Sequence, residues 1–157
     1  MAVKPTKSNG KNTSKDFIFS VGRRRESVAR IRLYETVKDG LTWDTTEIKK
    51  GDIIVNKIPI SEYFPGDSAR FTYTEPIRVA NAQNKYTFTI RVVGGGKKGQ
   101  LDAVAFGISR ALAKIEPEKY RDVLREKGFL TRDQRIRERR KVGTGGKARR
   151  AKQSPKR

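Results

Sequence analysis

The chain has 157 residues, 37 of them Lys or Arg against 17 Asp or Glu, for a formal charge of +20; 34% are hydrophobic, and there is neither Cys nor His. Disulfides, thiolate chemistry, Cys/His zinc sites and His-based catalytic triads are thereby excluded. The length suits one domain with extensions, the low apolar share implies that part of the chain stays outside the core, and the positive excess calls for a polyanionic partner.

Residues 1–15 are polar and hold four lysines and no acid, which reads as a flexible basic arm. The arm lacks the apolar run of a secretory signal. No stretch of the chain approaches the roughly 18–20 apolar residues that span a bilayer. A soluble, cytoplasmic protein with no membrane partner is expected.

The globular domain is expected over residues 16–130. From Ala29 the pattern alternates, placing Ala29, Ile31 and Leu33 on one face and Arg30, Arg32 and Tyr34 on the other. That is a half-buried strand with a basic outer face. Gly22 with Arg23, Arg24 and Arg25 just before it predicts a turn that exposes all three arginines. Ile53–Val55 and Ile58–Ile60 read as a hairpin turning at Asn56–Lys57, with Asn suited to the left-handed position. Ser61 is a candidate cap for one helical turn closed by Pro65. Residues 66–76 stay open between a strand, from the alternation of Phe71 and Tyr73, and a short helix from Asp67. In "KYTFTIRVV" (85–93), Tyr86, Phe88, Ile90 and Val92 share one face of the clearest strand.

"RVVGGGKKGQ" (91–100) follows, and Gly94, Gly96 and Gly99 fit the G-x-G-x-x-G spacing of a dinucleotide loop. The context argues against a cofactor. The loop comes after several strands, and the helix it opens runs into a second helix at Pro117 with no strand between. Gln100 and Leu101 stand where a P-loop needs Lys and Ser/Thr. No cofactor or small-molecule substrate is expected. Glycines that let the backbone approach an anion, a helix N-terminus beginning near Gln100, and the charges of Lys97 and Lys98 still suit a phosphate of a nucleic-acid backbone. The plainer reading is a strand-to-helix turn that needs glycine dihedrals.

Leu101, Val104, Ile108, Leu112 and Ile115 form a core-facing helical stripe, with small Ala105, Gly107 and Ala111 allowing close approach to a sheet. Pro117 opens the next helix, Tyr120, Val123 and Leu124 give its apolar side, and Gly128 ends it with Phe129 packing back. "TRDQ" (131–134) has the pattern of a capping box, but Ile136 is the single apolar residue in the turns it would begin.

Residues 131–157 hold 12 basic and 2 acidic residues, half the net charge in about a sixth of the length. The segment is read as an extended basic tail. Arg132, Arg135, Arg137, Arg139, Arg140 and Lys141, then Lys147, Arg149, Arg150 and Lys152, are candidate nucleic-acid contacts, since the planar guanidinium binds phosphate bidentately. Nothing inside the tail offsets its backbone entropy of about 1–2 kcal/mol per residue, so it is expected to order on contact with polyphosphate. An enzyme acting on nucleic acid finds little support. Asp102 and Asp133 are the acids beside basic loops, and no paired-carboxylate metal site is legible.

Several segments together resemble the bacterial small-subunit ribosomal protein nine family: "GRRRESVARIRLYE" (22–35), "VNKIPISEYFP" (55–65), "IRVVGGGKKGQLDAVAFGISRAL" (90–112), "LREKGFLTRDQRIRERRKVG" (124–143) and "KARRAKQSPKR" (147–157). The resemblance covers about residues 17–157. It implies an α+β fold in two layers, a mixed four-stranded sheet with helices packed on one face, followed by the long basic tail. It implies a non-enzymatic structural constituent of the small-subunit head. The implied partners are small-subunit ribosomal RNA, neighbouring ribosomal proteins of the head, and P-site tRNA. The rRNA contacts would be Arg23, Arg24, Arg25, Arg30, Arg32, the loop residues Gly95, Gly96, Lys97 and Lys98, and the tail cations. Lys156 and Arg157 would approach the tRNA anticodon stem-loop. Such tails usually carry an aromatic and a serine before the final Lys-Arg, whereas Ser154 and Pro155 stand here. Within that span the segment from Thr36 to Lys50 has no clear counterpart, and its single Trp43 reads first as a packing residue.

Overall fold

A hairpin at the start of the domain sets the frame on which the other elements pack. The protein is described from a computed structural model, which covers residues 17–36, 42–43, 46–140 and 142. Strand β1 (Ile18–Arg24) pairs antiparallel with β2 (Ser27–Tyr34), turning at Arg25 and Glu26. Arg25 takes a positive φ of 50°. Gly22 therefore lies within a strand, not in the turn expected around it, and Arg23 and Arg24 fall on opposite faces of β1.

Two short strands, β3 (Thr42–Trp43) and β4 (Thr46–Glu47), form a separate ribbon. β5 (Ile53–Val55) turns at Asn56 and Lys57, both at positive φ, into β6 (Ile58–Pro59). This is the expected hairpin, and Asn56 secures it by donating to the Val92 carbonyl (3.0 Å) and accepting from Val92 N (2.9 Å). The helical turn α1 (Ile60–Tyr63) begins two residues earlier than a Ser61 cap would place it, so Ser61 lies inside it and caps nothing.

Residues 67–79 resolve to a helix, α2 (Asp67–Val79), with Pro76 in its interior. Tyr73, Pro76 and Ile77, three or four apart, are buried, while Phe71 is 69% exposed. Helical periodicity thus overrides the strand-like alternation of Phe71 and Tyr73. β7 (Thr87–Val93) pairs antiparallel with β2 and parallel with β5. The five-stranded mixed sheet runs β1-β2-β7-β5-β6, one two-residue strand more than the four implied by the resemblance.

Helix α3 (Lys97–Ile115) crosses the inner face of the sheet, and α4 (Pro117–Glu126) packs on it. The core lies between these layers and contains Ala29, Ile31, Leu33, Phe88, Ile90, Val104, Ile108, Leu112 and Leu124. Gly22 and Gly107 permit the close approach: a Cβ on Gly22 would meet the Ala103 carbonyl oxygen and lie 2.7 Å from Gly107 N. Ser20, buried at this contact, donates to the Gly107 carbonyl at 2.7 Å. Helix α4 ends as expected, with Gly128 at φ 75°, Gly128 N bonded to Arg125 O and Phe129 N to Leu124 O.

Edge strand β1 leaves carbonyls that would invite another strand. Arg110 donates to the Val21 carbonyl (2.7 Å) and Lys114 to the Phe19 carbonyl (2.8 Å), blunting the edge with cationic side chains. No helix among the described residues is long and apolar enough to cross a membrane.

Candidate nucleic-acid interface

Register decides which arginines reach solvent together. On the sheet face away from α3, Arg30 of β2 stands directly opposite Arg91 of β7, Arg32 opposite Thr89, and Arg23 opposite Val28. All four arginines are exposed. Arg32 is held by stacking, its guanidinium carbon 4.9 Å from the centroid of Phe17, which in turn packs on Tyr34. Among the described residues no hydrogen bond or ion pair engages Arg23, Arg25, Arg30 or Arg91. Arg91 was missed in the sequence reading, although the alternation that buries Ile90 and Val92 already placed it outside. Only its register against Arg30 shows that it joins the same cluster.

Arg24 sits differently from its neighbours. Its position on the inner face turns it toward α3, and its side chain is 14% exposed. Nη2 lies 2.9 Å from Asp133 Oδ2, Nε lies 3.6 Å from Asp102 Oδ2, and Nη1 donates to the Arg135 carbonyl at 2.9 Å. Each nitrogen of the guanidinium thus faces a protein acceptor, and the group ties the root of the tail to the domain. Asp133 does not cap a helix, since residues 131–140 contain neither helix nor strand. Its carboxylate accepts from Arg135 Nε and Nη2 and from Arg135 N. These bonds, with the nearby Arg24 charge as a lesser contribution, hold Asp133 well below the usual carboxylate range. The two acids beside basic loops therefore do converge, on an arginine. Among the described residues no group of three or more acids could hold a metal.

In the glycine-rich loop, Gly94 and Gly95 take φ of 77° and 62°. A Cβ on Gly95 would meet Ser27 Oγ, and one on Gly94 would meet the Glu26 carbonyl oxygen. Both glycines are thus required by the packing of the loop on the β1–β2 turn, whereas a Cβ at Gly96 would meet open space. The helix begins at Lys97, three residues before the expected start, which puts Lys97 and Lys98 in its first turn. Gln100 closes the loop by donating to the Gly94 carbonyl and accepting from Tyr63 Oη. Lys97 folds back: Nζ lies 3.5 Å from the Tyr63 ring centroid and donates to the Tyr63 carbonyl. Lys98 projects without a partner among the described residues.

Arg132, Arg137 and Arg139 are exposed along the segment that leaves the domain, and Arg140 is half-buried. The expected contacts at Lys141, Lys147, Arg149, Arg150, Lys152, Lys156 and Arg157 lie outside the described residues. The sheet cluster, the turn, the loop and the tail root are all cationic surfaces on one frame.

The sequence profile of ribosomal protein S9/S16 matches residues 22–157. The chain belongs to that family. It is a ribosomal protein and not an enzyme. It is 40% identical over 133 residues, 85% of this chain and 92% of the relative, to a protein of Maridesulfovibrio salexigens called small ribosomal subunit protein uS9. A protein of the same name from Amoebophilus asiaticus is 41% identical over 128 residues, 82% of this chain and 89% of the relative.

Proposed function

We propose that the chain is a structural constituent of the small ribosomal subunit head that binds small-subunit rRNA and extends its C-terminal tail to the P-site tRNA. Its working compartment is the cytoplasmic ribosome, and its further partners are neighbouring head proteins. The observation that carries the reading is the set of cations without partners among the described residues, Arg23, Arg25, Arg30, Arg91 and Lys98, continuing into a tail that carries half the net charge. A self-repelling surface of this kind is stable in a compact particle when phosphates neutralise it.

In this reading Arg23, Arg25, Arg30, Arg32 and Arg91 meet rRNA phosphates. The loop at Gly95, Gly96 and Lys98 receives one further phosphate at the α3 N-terminus. Lys97, committed to Tyr63, adds charge there without reaching outward. Arg24 serves by anchoring: its bonds to Asp133 and to the Arg135 carbonyl fix where the tail departs. Arg132, Arg135, Arg137, Arg139, Arg140, Lys141, Lys147, Arg149, Arg150 and Lys152 then track the RNA backbone. Contacts of that kind position the chain rather than read sequence. Lys156 and Arg157, at the tip, hold the tRNA anticodon stem-loop through its backbone, alike for every tRNA.

Deleting Lys156 and Arg157 tests the assignment. Subunits carrying the truncated chain should assemble normally and bind P-site tRNA more weakly. Lost incorporation into subunits with tRNA affinity unchanged would overturn it.

A further inference from the structure

The outer face of the sheet is concave as well as cationic. Beside the two-residue ribbon strand that carries Trp43, a cavity of about 320 Å³ opens between Arg30, Arg32 and Arg91 on one hand and Phe19, Tyr34 and Trp43 on the other. Ile48 and Thr89 also line it, and among the described residues no carboxylate does. Phe19 stays 46% exposed, and Trp43 is half-buried.

Two features of this cavity are costly for a protein standing alone. Like charges directly opposite each other across an antiparallel pair are destabilising, yet Arg30 faces Arg91 and, among the described residues, no acid separates them. A large ring such as Phe19 is left in water among the arginines. A ligand with an anionic part and a flat apolar part relieves both at once. The volume lies at the small end of ligand cavities, about 300–1,000 Å³, too narrow for a duplex and fit for one flat group with its phosphate. Unpaired bases stack on aromatic rings and guanidinium planes, whereas bases inside an A-form duplex are not presented to them.

We propose that this cavity holds a single unpaired nucleotide of the bound RNA, its base against Trp43 and Phe19 and its phosphate among Arg30, Arg32 and Arg91. The proposal rests on the RNA-binding reading above and adds to it a site that tells unpaired RNA from duplex. The tail and the turn arginines, which meet phosphates alone, bind both forms.

Trp43 is the single tryptophan of the chain and reports on the cavity directly. The full chain is titrated with oligouridylate, with the same strand annealed to oligoadenylate, with free uridine monophosphate and with polyglutamate, following Trp43 emission and the anisotropy of labelled RNA. Oligouridylate should bind and change the emission, and the duplex should bind and leave it unchanged. Free nucleotide and polyglutamate should leave it unchanged at the concentrations where the strand saturates. Trp43→Ala should weaken oligouridylate binding on the order of tenfold, with duplex binding kept and Trp43→Phe near the parent. Arg91→Gln, at an exposed position, should also weaken the strand more than the duplex. Equal emission changes with duplex, free nucleotide or polyglutamate, or equal losses for strand and duplex in both variants, would overturn the proposal. Strand binding with the emission unmoved would sink the nucleotide site and leave the RNA-binding reading standing, whereas no RNA binding at all would sink both.

Discussion

Arg24 and Arg25 are adjacent in sequence and identical in side chain, yet the fold gives them different work, so exchanging each for Gln separates anchoring from phosphate contact. Arg24 is mostly buried and gives up charged hydrogen bonds to Asp133 and the Arg135 carbonyl and an ion pair to Asp102 when it becomes Gln. Hydrogen bonds to charged groups contribute about 1.5–3 kcal/mol, and partial solvent access puts the expected loss for Arg24→Gln near the lower end, about 2 kcal/mol. Arg25 lies exposed in the turn with no partner among the described residues, so Arg25→Gln should change stability by less than about 0.5 kcal/mol. RNA binding against salt should show the reverse. Losing one phosphate contact lowers the slope of log K against log salt by about 0.7–0.9, expected for Arg25→Gln and absent for Arg24→Gln. Urea unfolding by circular dichroism measures the first quantity and salt-titrated anisotropy the second. A reduced slope with unchanged stability in Arg24→Gln would refute the anchoring assignment.

Gly22→Ala places a methyl group against three backbone atoms of α3 that cannot rotate aside. It should cost about 3 kcal/mol or more, at or beyond the usual range for overpacking, and a urea midpoint showing a loss under about 1 kcal/mol would contradict the close approach of β1 and α3. Acid should release the tail root. Because Asp133 titrates below its unfolded value, its contribution is present above the ordinary carboxylate pKa of about 4 and lost as the pH falls through the lower folded value. Protease cleavage within 131–140 should therefore stay slow at neutral pH and rise below about pH 4, and Asp133→Asn should be cleaved quickly at neutral pH with that acid step gone.

The sequence by itself determined the elements whose signal is local. The phase of Ala29, Ile31 and Leu33 fixed the buried face of β2, Asn56–Lys57 fixed a hairpin turn, and the stripe from Leu101 to Ile115 with Gly128 beyond fixed the helical half. Side-chain period and backbone dihedral preference act within a few residues, so they can be read along the chain. The imbalance of charge toward residues 131–157 likewise needed no coordinates. Tertiary structure decided what depends on distant partners. Arg24 faces inward because it finds acceptors as far as 111 residues away, and Arg91 joins Arg30 through strand register. Lys97 turns back onto Tyr63, and α2 accommodates Pro76 because burial of Tyr73 and Ile77 on the core side outweighs local alternation. An arginine's type says that it will seek an anion, and the fold decides whether a carboxylate of the same chain reaches it or the position is left to phosphate.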